Sequence, residues 1–579
     1  MLRLSTIDVA IIVTYLVVML TVGVLSTKRA ARGIDSYFLG GRKLPWWMLG
    51  ISGMISNLDL TGTMVITSFL FLAGMKGFLV ELRGGVALSL AFLIVFMGKW
   101  LRRSKVMTNA EWMEFRFGSG RAGRAARLTM ALASIVLATS MIAYFTVGVG
   151  KFLSMFLPFS PNICALMLIL VASIYTITAG LYGVTFTDLL QAGVVIFAAG
   201  YISILAFTMV DIGTIANIPP GWQSIIPPWH MDMPPGYEMY EMLQLCVLFW
   251  IAKAVLEGLG GPAGVYMPQR FYAAKSDREC GLLSLLWTVL LTLRWPMMIG
   301  IAALGLTISG SITEPEMALP AVIEHYVPAG IRALVIVALI AGAMSTFDST
   351  VNSGASYMVK DLFQGFIKPT ASSRELIRLS YLASALIVIV GMTIGFTLPS
   401  INAIWSWITM GLFAGLAIPM FLRWYWWRFN GWGFTAGIAA GVLVSIFQRL
   451  FLPSWPIYYS FGIIVLASLT ALLIATFLTS PTEKSTLTNF YRHTRPFGAW
   501  GMIRNGVGPG LLKGIKSENR RDFSNLFLAI PWQICLFLTP MYLVVHDFLP
   551  GIICLILLAL LSVVLYFRWY RVLPRSSED

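Results

Sequence analysis

Fifteen stretches of this chain are apolar for about 20 residues each, long enough to cross a bilayer as helices. They fall at roughly 7–25, 45–74, 79–101, 127–156, 161–182, 187–210, 242–268, 281–309, 331–359, 377–398, 401–423, 432–452, 457–479, 523–546 and 549–569. In hydrocarbon every backbone polar group must be satisfied within the protein, which leaves helices or a closed barrel. The runs are continuous rather than alternating, and this selects helices. Charged residues make up 12% of the 579 residues and apolar ones 58%, against about 25% charged in a soluble domain. The expected fold class is an all-α polytopic membrane protein with about 15 transmembrane helices.

The net charge of +15 invites a nucleic-acid partner, but its distribution argues against one. Lys28, Arg29, Arg32, Arg42 and Lys43 fall in the first connection, and Arg102, Arg103, Lys105, Arg116, Arg121 and Arg124 in the third. Later odd-numbered connections hold Arg270, Lys275, Arg278, Lys360, Lys368 and Arg374, and 480–522 is rich in Lys and Arg. On the other face only Arg3 and Lys76 are basic, and the connections 211–241 and 310–330 hold no Lys or Arg. The positive-inside rule then predicts the N-terminus outside and the C-terminus inside. This is a multi-pass protein of the cell membrane, the lipid bilayer its main partner, with no nucleic acid and no sign of its oligomeric state. Residues 7–25 read as a retained span, because their positive cluster follows the apolar run. The five cysteines show no paired ligand spacing, so neither disulfides nor zinc are expected.

Two spans cannot be regular helices. The second contains Ser56-Asn57-Leu58-Asp59-Leu60-Thr61-Gly62-Thr63, and the seventh Glu257-Gly258-Leu259-Gly260-Gly261-Pro262-Ala263-Gly264. Irregular backbone at membrane depth has to be buried in protein or line a cavity. Each break opens a block of five spans, and an odd block inverts the next, so the core reads as a 5+5 inverted repeat with two broken helices. Such pairs mark the midplane site of a secondary transporter. The expected organisation is an N-terminal peripheral span (1–30), a first five-helix repeat (45–210), a Pro-rich extracellular loop (211–241) and a second repeat (242–424). Peripheral spans (432–479), a cytoplasmic docking or regulatory loop (480–522) and C-terminal spans with a tail (523–579) complete it.

The ninth span carries Ser345-Thr346-Phe347-Asp348-Ser349. A carboxylate in hydrocarbon costs about 2.5–3.5 kcal/mol even on lenient scales. At about 100° per residue Ser345, Asp348 and Ser349 share a face, with Thr346 beside it. A helix–helix hydrogen-bond cluster and an ion site are both open, and several hard oxygens together favour a small hard cation.

The chain resembles the sodium:solute symporters, whose core is the inverted-repeat fold of the leucine transporter and whose bacterial members carry sugars, proline and sialic acid. The resemblance rests on Ser36-Tyr37-Phe38-Leu39-Gly40-Gly41-Arg42, on Thr178-Ala179-Gly180-Leu181-Tyr182-Gly183-Val184-Thr185-Phe186-Thr187-Asp188 ahead of Gln191, on Gln269-Arg270 with Ala273-Ala274-Lys275, and on the Ser345-Thr346 helix. It implies a sodium ion held by the carbonyls of Asn57, Leu60 and Gly342 and the hydroxyls of Ser345 and Thr346. It further implies a second ion at Asp188, Asp348 and Ser349. Family members more usually have Ser, Thr or Ala where this chain has Asp348. Two carboxylates there hold a second sodium, or share a proton if they approach closely without a cation. Asp188 alone also fits an interfacial acid beside an inside connection at 182–187.

For the solute, the resemblance points to Glu81, the match for an acid that contacts sugar. It also points to Gly264, where sugar-binding relatives carry asparagine, and to Asp59, where an amino-acid-transporting relative carries an acid. Glu81 and Arg83 also fit a pair that snorkels to the outer end. Lys253 and Glu257, one turn apart, fit an internal ion pair. Arg294 fits a receptor for a solute carboxylate or a neutraliser of Glu257 or Glu81. The expected function is sodium-coupled symport of a small polar organic solute, a sugar or sugar derivative favoured, by alternating access. An amino acid or organic anion carried with sodium or protons is the alternative, and a transporter-like sensor the remote one. No cofactor beyond the coupling sodium and no enzyme activity are expected. His230, His325, His493 and His546 show no metal-ligand spacing, and no nucleophile–base pair stands out.

Overall fold

The computed structural model describes residues 4–573 apart from 31–32, 211–217, 263, 313, 399 and 453–454. Among these residues there is no strand, only an isolated bridge between Trp426 and Ala499. Thirteen helices are long and apolar enough to cross a membrane. The difference from the expected fifteen lies in segments that are not single long helices.

The first break behaves as anticipated. Helix Trp46–Ile55 closes with tight turns, Asn57 N–H on Met54 O at 3.0 Å and Leu58 N–H on Ile55 O at 3.0 Å, and the chain resumes as Leu60–Ala73. Asp59 caps the new helix, its carboxylate accepting from Gly62 N–H at 2.7 Å. The second break ends helix Leu243–Gly260 at Gly261, whose φ of 79° lies in the left-handed region. The chain restarts as Met267–Ala273 with Pro268 in its first turn. Carbonyls freed at the break find donors on one neighbouring segment. Trp424 Nε1 donates to Gly260 O at 2.8 Å and the Tyr425 hydroxyl to Leu259 O at 2.7 Å.

A third interruption was not anticipated. The expected span 79–101 is instead a 3₁₀ segment Gly74–Val80, one turn Glu81–Gly84, and a helix resuming at Ala87. Glu81 supplies the reason, because its carboxylate accepts from Val86 N–H at 3.1 Å and bridges the gap. Gly85 is required beside it, since a Cβ there would lie 1.9 Å from the carboxyl group. Glu81 and Arg83 are therefore buried, at 2% and 0% exposure, and neither snorkels.

The expected inside connection 182–187 is also absent. These residues are helical, and Pro161–Met209 is interrupted only at Gly180, with φ 56° and ψ −170°. A Cβ on Gly180 would stand 2.7 Å from Tyr37 O. The eighth span likewise divides into Asp277–Leu291 and Arg294–Thr307.

Residues 480–522 lie against the core. Helix Lys484–Thr494 brings Phe490 onto Trp112 at 5.4 Å between ring centres, and Trp500 Nε1 donates to Trp424 O at 3.0 Å. Arg116 threads this cluster, 5.1 Å from the Phe490 ring and 5.0 Å from Trp500, with Nε on Arg423 O at 2.8 Å. The last part of the loop is the start of the helix Pro509–Val544, and Glu518 on it pairs with Lys99 and Arg103, each at 2.7 Å. Replacing the buried Trp500 by alanine is expected to cost about 3–5 kcal/mol. The exposed control Trp229→Ala should stay within about 0.5 kcal/mol. Thermal unfolding of the purified protein in detergent checks both.

Candidate functional site

The two breaks open onto one cavity, lined by Asn57 and Asp59 from the first and by Pro262, Gly264 and Tyr266 from the second. All five residues that the sequence singled out for the solute line it: Asp59, Glu81, Glu257, Gly264 and Arg294. Val65, Ile66, Met141, Trp405 and Phe413 supply an apolar wall. Small residues make the room. A Cβ on Gly62 would stand 2.6 Å from Asp59 Oδ1 and 3.3 Å from Arg294 Nη2, which also sets Arg294 beside Asp59.

The charges are matched across elements. Arg294, the first residue of its helix, faces Glu81 at 3.7 Å, while Glu257 pairs with the buried Lys253 at 2.8 Å. The expected Glu81–Arg83 pair does not form. Arg83 instead donates through Nη1 to the Tyr240 hydroxyl, to Asn402 Oδ1 at 3.1 Å and to Ser406 Oγ at 3.1 Å. Tyr266, which sequence reasoning passed over, joins the two breaks. Its hydroxyl donates to Ser56 O at 3.1 Å and accepts from Asn57 Nδ2 at 3.0 Å. A lone tyrosine after a break carries no signal in one sequence.

The five residues expected to hold sodium gather where the first break crosses helix Ile331–Ser356. Thr346 Oγ1 donates to Ser56 O at 2.9 Å and to Gly342 O at 3.1 Å. Gly342 is in such close contact with the break that a Cβ would sit 2.1 Å from Leu58 O. Asn57 lies in the break and Leu60 opens the next helix, while the Ser345 hydroxyl reaches Ser56 Oγ at 3.0 Å. The oxygens that meet here are those of Ser56, Leu58, Gly342, Ser345 and Thr346, and Asn57 and Thr346 also line the cavity.

The three residues grouped as a second ion site divide into two environments. Asp188 accepts from the hydroxyls of Ser52 and Ser345, and Arg270 Nη2 lies 4.0 Å from it. Ser349 belongs with Arg270, which donates to its Oγ at 2.9 Å, to Ser56 Oγ at 2.6 Å and to Ser52 O at 3.0 Å. Asp348 faces elsewhere, accepting from the Tyr175 hydroxyl at 2.7 Å and from Thr176 Oγ1. The reason is geometric. Helix Pro161–Met209 passes on both sides of Gly180, so its two halves present different oxygen partners to the Ser345–Ser349 turn. Arg270, visible beforehand only as part of a motif, supplies a buried positive charge at the point between Asp188 and Ser349.

The motifs that carried the resemblance meet here. Gln269 Nε2 donates to Phe38 O at 2.6 Å and its Oε1 accepts from Ser353 at 2.7 Å, while the Tyr37 hydroxyl donates to Ile177 O at 2.7 Å.

Comparison with known proteins bears on the family and the fold. The sequence profile of the sodium:solute symporter family matches residues 37–441. The chain is 24% identical to the sodium/glucose cotransporter of Vibrio parahaemolyticus, over 79% of this chain and 87% of that one. It is 24% identical to sodium/glucose cotransporter 4 of Mus musculus, over 77% and 70%, respectively. The fold is similar to that of a Na⁺-coupled sialic acid symporter in a substrate-bound outward-open state, with a TM-score of 0.67 and 21% identity, over 83% of this chain and 99% of that one. With its broken helices, its cavity and this match over most of its length, the chain belongs to the sodium:solute symporter family.

Proposed function

We propose that this membrane symporter carries a small polar organic solute in the cavity between the two breaks, together with sodium bound by Asn57, Leu60, Gly342, Ser345 and Thr346. The observation that carries this reading is that one loop of backbone, Ser56–Asp59, serves both places. Thr346 binds its Ser56 carbonyl, and Asp59 at its other end faces the cavity. A cation drawing Ser56–Leu60 against helix Ile331–Ser356 favours the conformation in which these elements touch. That preference for one conformation is what couples ion to solute. An inside-negative potential then contributes about 2.3 kcal/mol per charge per 100 mV. Hydroxyls and charges alternating with Trp405 and Tyr266 suit a sugar or sugar derivative, and the relatives named for sodium/glucose cotransport support that class.

The geometry favours one sodium per cycle. Arg270 supplies the positive charge facing Asp188 and Ser349, and the oxygens of Asp348 are turned to Tyr175 and Thr176. With only hydroxyl donors on its two oxygens, Asp348 suits a proton as its occupant better than a metal ion, which leaves proton coupling as the second reading.

In proteoliposomes, solute accumulation should require an inward sodium gradient; accumulation that persists without a sodium or proton gradient overturns symport. Thr346→Ala should raise the sodium concentration for half-maximal uptake by roughly tenfold, about 1.4 kcal/mol, in line with loss of one ligand to a charged group. Gly342→Ala should abolish sodium-driven uptake, because the added methyl group forces Leu58 away from the ion ligands. Asp348→Asn should leave the Hill coefficient for sodium unchanged. A fall in that coefficient would restore Asp348 as a ligand of a second sodium.

A further inference from the structure

Arg83 is the charged group of the cavity that sodium-coupled transport leaves without a task. Its side chain is wholly buried, at 0% exposure. Only neutral acceptors meet Nη1, namely Tyr240, Asn402 and Ser406, and the rings of Phe69 and Tyr240 stand 5.5 and 5.4 Å from its guanidinium carbon. Nε and Nη2 have no hydrogen-bond partner among the described residues. The carboxylates that line the same cavity are engaged elsewhere: Glu81 with Arg294 and Val86 N–H, Glu257 with Lys253, Asp59 with Gly62 N–H.

A guanidinium buried with no counter-ion is costly, and neutral acceptors on one nitrogen offset only part of that cost. The two free nitrogens are the edge of the fork that meets a carboxylate with two parallel hydrogen bonds. Arg83 is among the residues lining the cavity, and its unpaired Nε and Nη2 are enclosed by protein, so a carboxylate entering the cavity reaches them by a shift of the surrounding side chains.

We propose that the transported solute carries a carboxylate and that Nε and Nη2 of Arg83 receive it. This rests on reading the cavity as the solute site. Within that reading it moves the expected solute from a neutral sugar to a sugar acid or another small polar carboxylate. Asp59 and Glu81, which line the same cavity beside Arg294, then face the hydroxyl or amino groups of the same molecule. A neutral sugar offers the Arg83 edge hydroxyl acceptors but no charge, so the guanidinium stays without a counter-ion in the bound state, whereas a carboxylate supplies both the paired acceptors and the charge.

The test uses the purified full-length protein in sodium and, separately, in potassium. Binding is read by thermal stabilisation and calorimetry with matched probes: D-glucuronate and D-gluconate against D-glucose and myo-inositol, with N-acetylneuraminate and L-lactate as further carboxylates. At least one carboxylate should bind in sodium and at least a hundredfold more weakly in potassium, with its neutral counterpart a hundredfold weaker still. Arg83→Gln should weaken that carboxylate at least tenfold while stabilisation by sodium alone persists, which shows that the variant is folded. Arg83→Lys, which keeps the charge without the fork, should fall between. Glucose or inositol binding as tightly as the acids, binding by no carboxylate of the panel, or an unchanged affinity in Arg83→Gln overturns the proposal. If proteoliposomes accumulate glucose or inositol on a sodium gradient and none of the acids, the symport reading stands and only the carboxylate falls. If none of the probes accumulates on sodium, both readings fall.

Discussion

A helix that stops inside a membrane leaves carbonyls and N–H groups in a medium that offers them no water, and the rest of this structure is arranged around that constraint. Each break is satisfied from a different direction. At the first, Asp59 caps the new helix from within, and the freed carbonyl of Ser56 is bound by Thr346 from helix Ile331–Ser356 and by Tyr266 from the second break. At the second, Trp424 and Tyr425 reach across to Gly260 and Leu259. At the third, Glu81 spans its own gap. Two of these capping groups, Asp59 and Glu81, also line the cavity. Structural support and solute contact therefore fall on the same side chains, and a change that relieves one disturbs the other.

Buried charge follows the same logic. The cavity and the polar cluster beneath it hold Asp59, Glu81, Arg294, Lys253, Glu257, Asp188 and Arg270, brought together from distant parts of the chain. Except for the one-turn pair Lys253–Glu257, the partners come from different segments, so these pairings exist only when the segments are assembled. Arg83 and Asp348 stand outside this scheme: among the described residues Arg83 meets no carboxylate and Asp348 no cation.

The family's recurrent motifs are explained by adjacency rather than by individual chemistry. Gln269, Phe38 and Ser353 form one chain of hydrogen bonds, and Tyr37 and Gly180 fit together so closely that neither position tolerates a larger neighbour. These links tie the stretch before the first break to the stretch after the second.

The sequence by itself determined the all-helical membrane architecture, because a lack of charge over twenty residues admits little else. It also determined the two main breaks, since Pro262 with its glycines and the polar run at Ser56–Thr63 cannot continue a helix. The convergence of Asp59, Glu81, Glu257, Gly264 and Arg294 on one cavity was legible through the resemblance and the inverted repeat. The interruption at Glu81–Gly85 was not, because it depends on a carboxylate folding back onto Val86. Nor was the replacement of a connection at 182–187 by the single turn at Gly180, which depends on Tyr37 packing against it. The one-turn pair Lys253–Glu257 was legible and Arg294 stood as one possible partner of Glu81, but the choice among the remaining partners was decided only in three dimensions. Spacing along the chain suggested Glu81 with Arg83, and the resemblance grouped Asp348 with Asp188 around a second ion. Tertiary packing gave Glu81 to Arg294 and Asp188 to Arg270, because partners in hydrocarbon are chosen by which helices touch, and one sequence does not encode that in any local pattern.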